Sequence, residues 1–308
     1  MAAVSTLGLA LAGVLLLQEQ SLAATSTKKG LDADAIAASS GAKASTTPDG
    51  TVRLGWPRTD VSVMVDGVAL KPFAGLGCWA AFTPAPSHKA MLMGDTVVFA
   101  DEVNPAIDAA FAHDLEVTGL HNHFFFDEPK VYFMHIGGHG DPTKLAEGVK
   151  AVWDAIKAVR AASAQPATSF GGGELKPGTL DAASLERALG VTPEVKDGIA
   201  KFTIGREGKM HGIKVGGSMG LTTWAAFMGS DASAAIDGDF MMFDREVQPV
   251  LHALRANKIN IVALHNHMIG ESPGMYFVHF WGKGPAAGLA NGLSAALAAQ
   301  RGAAGSGK

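Results

Sequence analysis

The chain has 308 residues, 47% of them apolar, and a formal charge of −4 at pH 7. That length can fill one large core or two smaller ones, and the mild charge, without a Lys/Arg-rich block, argues against nucleic acid as a partner. Cys78 is the single cysteine, which excludes an internal disulfide and a thiolate metal cluster.

Residues 1–23 are dominated by Ala, Leu and Val and end in Ser21-Leu22-Ala23. They read as a secretory signal, too short to span a bilayer, so an exported protein with no stable membrane span is expected. Residues 24–50 are rich in Ala, Ser, Thr and Gly and read as a linker with a short helix at 31–38. From there the sequence repeats: 51–160 is the first copy, 161–178 a Gly-rich connector and 179–300 the second copy. Residues 301–308 read as a disordered tail.

Each element can be read twice. Strands are expected at 52–54 and 201–204, then at 61–65 and 211–215. Trp79-Ala80-Ala81-Phe82 returns as Trp224-Ala225-Ala226-Phe227, and 94–99 and 238–243 read as buried strands. A helix follows, with Val103, Ile107, Ala110 and Phe111 at helical spacing, matched by Val247, Val250, Leu251 and Leu254. Next comes a hairpin, and apolar-striped helices at 145–159 and 289–299 close the copies. The expected fold is therefore α+β: a tandem duplication of a strand-helix-hairpin-helix unit with an antiparallel sheet and pseudo-two-fold symmetry.

The hairpins carry the most informative residues. His121, His123 and His135 return 144 positions later as His265, His267 and His279. Strand side chains alternate, so His121 and His123 share a face. Pairing His135 opposite either of them puts three imidazoles on that face, whereas a one-residue slip would separate them. Three neutral imidazoles with an open position suit a divalent metal, Zn²⁺ first, and a metal-dependent hydrolase is one use. Asp127 and Glu271, each four residues after the second histidine, are the candidate fourth ligands or general bases. The alternative is a non-catalytic module for a small or envelope-derived ligand. Trp79 and Trp224 read either as its aromatic wall or as core. Glu102 and Glu246, with Asp95 and Asp239, are the remaining duplicated acids and could hold imidazole N–H groups beside a ligand site. Arg58 and Arg206 read as surface ion pairs with Asp60 and Glu207.

The runs Gly94-Asp95, Glu102-Val103-Asn104-Pro105, Leu120-His121-Asn122-His123 and Trp79-Ala80-Ala81-Phe82, with their echoes, span about residues 31–300. In these the chain resembles the LppY/LpqO family of exported bacterial proteins. The resemblance implies export and a duplicated domain, and it supplies no reaction. The leader has no cysteine to acylate, a departure from the lipoprotein pattern of the name-giving members.

Overall fold

The computed structural model describes residues 30–305 apart from residue 88. The expected signal, 1–23, and residues 306–308 lie outside the described residues.

The first copy begins with α1 (Ala33–Ser40) and β1 (Ala44–Thr46). Residues 24–29 of the expected linker lie outside the described residues; the helix expected at 31–38 is α1, and the remainder is part of the fold: Asp32 caps α1 through the Ala35 amide, and β1 pairs with the next strand. Then come β2 (Val52–Pro57), β3 (Val63–Val65), β4 (Val68–Leu70), β5 (Gly77–Ala85) and β6 (Lys89–Phe99). After α2 (Val103–Ala112) the hairpin region runs through β7 (Glu116–Asn122), β8 (Asp127–Glu128) and β9 (Val131–Gly140). The copy closes with α3 (Pro142–Ala162), whose start is fixed by the Asp141 carboxylate accepting from Thr143 and Lys144 amides.

The second copy repeats that order, with the single bridge Met210–Glu271 where β8 would stand, from α4 (Ala182–Leu189) and β10 (Glu194–Lys196) through β11 (Ile199–Gly205), β12 (Gly208–Met210) and β13 (Ile213–Val215). It continues with β14 (Thr222–Ser230), β15 (Ser233–Phe243), α5 (Val247–Ala256), β16 (Asn260–His265), β17 (Met275–Gly284) and α6 (Ala286–Gly305). Residues 301–305, expected as frayed tail, complete α6; the apolar stripe that carries Leu297 to the core extends to Gln300, whose amide reaches the Met241 carbonyl.

Twelve strands form one antiparallel sheet in the order β1-β2-β5-β6-β9-β7-β16-β17-β15-β14-β11-β10. The copies meet in its middle, where Leu120 pairs with Leu264. Helices cover one face: a Cβ on Gly138 would strike Leu145 of α3, and one on Gly282 would strike Leu289 of α6. Even-numbered residues of β9 and β17 therefore point at helices and odd-numbered ones at the opposite face. The main apolar core runs from Ile36 to Leu297 through both copies, and a smaller cluster of Val215, Leu221, Met241, Met275 and Phe277 lies in the second.

The copies also clamp each other. β7 and β16 each bulge, between Val117 and Gly119 and between Ile261 and Ala263. Asn104 of α2 bonds the amide and carbonyl of Ile261, while Gln248 of α5 bonds those of Val117. Each helix thus satisfies backbone that a bulge in the other copy leaves unpaired. Among the described residues, no helix is long and apolar enough to cross a membrane.

Candidate functional site

The register of the hairpins fixes which side chains meet. His135 lies opposite Gly119 and His121 opposite Phe133, whereas His135 was expected opposite His121 or His123. The reason is a longer loop: 123–130 contains β8, which is drawn away to pair with β3 through Met64–Glu128 and Val65–Asp127. The displacement is an even number of residues, so all three imidazoles keep one face. β16 and β17 repeat this, with Ala263 opposite His279 and His265 opposite Phe277.

The pairing extends across the sheet. Trp79, Asp95, His135 and Gly119 stand opposite one another on successive strands, and so do Trp224, Asp239, His279 and Ala263. Leu120 opposite Leu264 sets Gly119 against His265 and His121 against Ala263. All of these belong to the face away from the helices. Both histidine trios therefore occupy one strip at the centre of one sheet, with an aspartate and then a tryptophan outside each. Gly119 makes room for this: a Cβ there would come within 3.1 Å of the His135 ring.

Within the first trio, His121 lies 5.0 Å from His135 and 5.1 Å from His123, centroid to centroid. The Nε2 atoms of His121 and His135 are 2.9 Å apart. His121 Nδ1 faces the Asn122 carbonyl at 3.2 Å, and a carbonyl only accepts, so Nδ1 carries the proton and Nε2 the lone pair of a neutral ring. In the second trio His265 is 5.0 Å from His267 and 4.9 Å from His279, and its Nδ1 donates to the Phe277 carbonyl at 3.0 Å. That again leaves Nε2 free to bind a cation. His267 Nε2 stands 3.5 Å, and His279 Nδ1 4.0 Å, from the two oxygens of Asp239. His123 and His267 lie flat on Phe133 and Phe277, 3.3 and 3.4 Å away. Burial lowers the pKa of both rings, which favours their neutral form.

Asp95 and Asp239 are the acids that the sheet delivers to the imidazoles. Asp239 is 5% exposed, and an oxygen of each carboxylate is buried without a hydrogen-bond partner. Burial raises the Asp239 pKa, while the three imidazoles of its trio pull the other way. The pairing of each Gly-Asp with the third histidine was the signal in the sequence, legible only through cross-strand register. Trp79 and Trp224 are half-buried on this face, under Arg53 and Lys201 at 4.8 and 4.7 Å from their rings; they are not core.

The other sequence candidates sit elsewhere. Asp127 is buried and accepts from the Val131 amide at 2.7 Å and Lys130 at 3.0 Å, so it staples the hairpin loop. Glu271 pairs through its backbone with Met210, and one oxygen of its carboxylate is buried without a hydrogen-bond partner, as in Asp95 and Asp239. Glu102 and Glu246 are fully buried. Glu102 holds Arg58 through two bonds of 2.8 Å, and Arg160 at 2.8 Å, while Glu246 holds Arg206. Arg58 is 1% exposed and no surface pair. Two carboxylates keep it charged against burial. These glutamates tie each helix start to the core, because β2 and β11 deliver an arginine there. Cys78 is buried, and burial pushes its thiol up to about 12.

As the side chains stand, no three His, Cys, Asp or Glu groups among the described residues are placed to hold a metal ion; in each trio the second histidine is engaged with its phenylalanine. A cavity of about 990 Å³ lies along the connector beside Asp101 and Tyr132, away from the imidazoles. A second, of about 550 Å³, touches His279.

A family model, DUF1529, described as Domain of Unknown Function (DUF1259), matches residues 34–155 and 183–299. A search of curated proteins found no match. Among solved structures, a trimeric bacterial microcompartment shell protein, PduB, aligns over 86% of this chain and 93% of its own at 10% identity, with a TM-score of 0.19. A likeness that low carries no argument.

Proposed function

The chain belongs to the DUF1529 family, and from that premise we propose that its paired histidine trios bind divalent transition-metal ions, Zn²⁺ foremost, on one sheet face. The observation that carries the reading is the surroundings of the imidazole nitrogens: two Nε2 atoms 2.9 Å apart in one copy, and two histidines beside a buried aspartate in the other. In a neutral pair one of those facing Nε2 atoms must hold a proton, and a cation would take that proton's place. Asp95 and Asp239 would complete three-His, one-Asp donor sets. His123 and His267 must turn off Phe133 and Phe277 to join.

Two further features belong to the same proposal. One is a pseudo-two-fold axis between Leu120 and Leu264, relating two strand-helix-hairpin-helix units. The other is export, directed by residues 1–23, as the LppY/LpqO resemblance implies. Asp127 is taken up by the loop; in a hydrolase Asp95 and Asp239 would instead stay off the ion, leaving the three imidazoles an open position, and act on the water there. The half-buried Trp79 and Trp224 favour a second reading, a small-ligand module; Trp224→Ala would then abolish a ligand's thermal stabilisation.

Metal analysis of untagged protein purified without chelator tests the proposal. The expected result is one to two equivalents per chain, lost in His121→Ala/His265→Ala, with a chelator lowering the melting temperature. At a hundredfold excess over Kd, a bound ion contributes about 2.7 kcal/mol. Less than about half an equivalent, with melting unchanged by chelator, would overturn it.

A further inference from the structure

Residues 166–170 of the connector line the 990 Å³ cavity beside Asp101 and Tyr132 of the first copy, and Ser169 and Phe170 also reach the cavity beside His279 of the second. Lys283 donates to the Gly173 carbonyl at 2.7 Å, and Ser230 and Ser233 hold Lys176. Just before this anchor, Gly171, Gly172 and Gly173 have φ of +76°, +80° and +67°, a left-handed run that other residues adopt only at a cost. It turns the chain so that Phe170 lines the 550 Å³ cavity beside His279.

Two of the cavity's other walls are peculiar to the second copy. Asp237 pairs with Trp281 and both line it; the matching pair in the first copy is Met93 with Gly137. The Val262 bulge supplies more apolar wall. A volume of this size suits a compact ligand. Phe170, Trp281 and Val262 offer a flat apolar slot, while the Asp237 carboxylate accepts hydrogen bonds and the His279 ring offers a nitrogen. We infer that this cavity is a binding site for a hydroxylated aromatic ring of the phenol class, present once per chain. The site needs no metal but shares His279 with the second trio, so it is tested with metal removed.

Resorcinol is a suitable probe, because its hydroxyls are not adjacent and chelate poorly. Titrated calorimetrically into the full chain with chelator present, it should bind saturably at one equivalent. Trp281→Gly, which installs the residue of the first copy, should weaken binding at least tenfold. Phe170→Ala should do the same, and its place on the connector outside the sheet keeps the test valid if Trp281→Gly fails to fold. Met93→Ala, in the matching first-copy position, should leave it unchanged. No saturable binding, two equivalents, loss in Met93→Ala, or tighter binding of methyl glucoside than of resorcinol would each overturn the assignment.

Discussion

Glu246 shows how one side chain can look functional in sequence and be structural in space. Burial opposes its ionisation, but bonds from Arg206, the Phe243 amide and Gln300 outweigh this and hold its carboxyl below the usual glutamate range. Its folded pKa is therefore lower than its unfolded one. The stabilisation is complete above the unfolded value of about 4.3 and is lost as pH falls through the folded value. Urea denaturation of wild type and Glu246→Gln should show a gap of about 3 kcal/mol at pH 7, because Arg206 loses its partner. The gap should shrink on acidification toward pH 3; a gap independent of pH would contradict this account. Glu246, like Glu102, was readable as a duplicated acid at a helix start. Its partner was not, because Arg206 lies 40 positions away on another element.

At the level of elements, the bulges of β7 and β16 displace the register that sets each histidine's neighbour, and helix side chains hold them in place. Asn104→Ala should leave the Ile261 amide and carbonyl unpaired, and Gln248→Ala should do the same at Val117. Each should cost about 1–3 kcal/mol in urea denaturation, and amide exchange should rise at the bulge of the opposite copy. Faster exchange only within the mutated copy would count against the clamp. Strand and helix positions were legible because hydrophobic period and duplication reinforced each other. The hairpin register was not, since β8 is two residues long and leaves no periodic trace.

For the whole molecule, the consequence of joining β7 to β16 is one main core instead of two lobes. Arg255 of the second copy grips Asp108 of the first through two bonds of 2.8 Å, and His252 stacks on Phe111 at 3.8 Å. Calorimetry should therefore record a single transition whose van't Hoff and calorimetric enthalpies agree; two resolved transitions would mean that the halves unfold separately. Sequence alone determined that the chain is α+β, that it is duplicated, and that each trio of histidines shares a sheet face. These follow from local periodicity, and an even shift of register cannot alter them. Only the tertiary structure decided that both trios lie on one strip, that Asp95 and Asp239 stand beside them while Asp127 is taken up by its loop, and that the connector brings Phe170 to the cavity beside His279. Those facts depend on contacts between strands distant in the chain, where neither spacing nor composition records which residues meet.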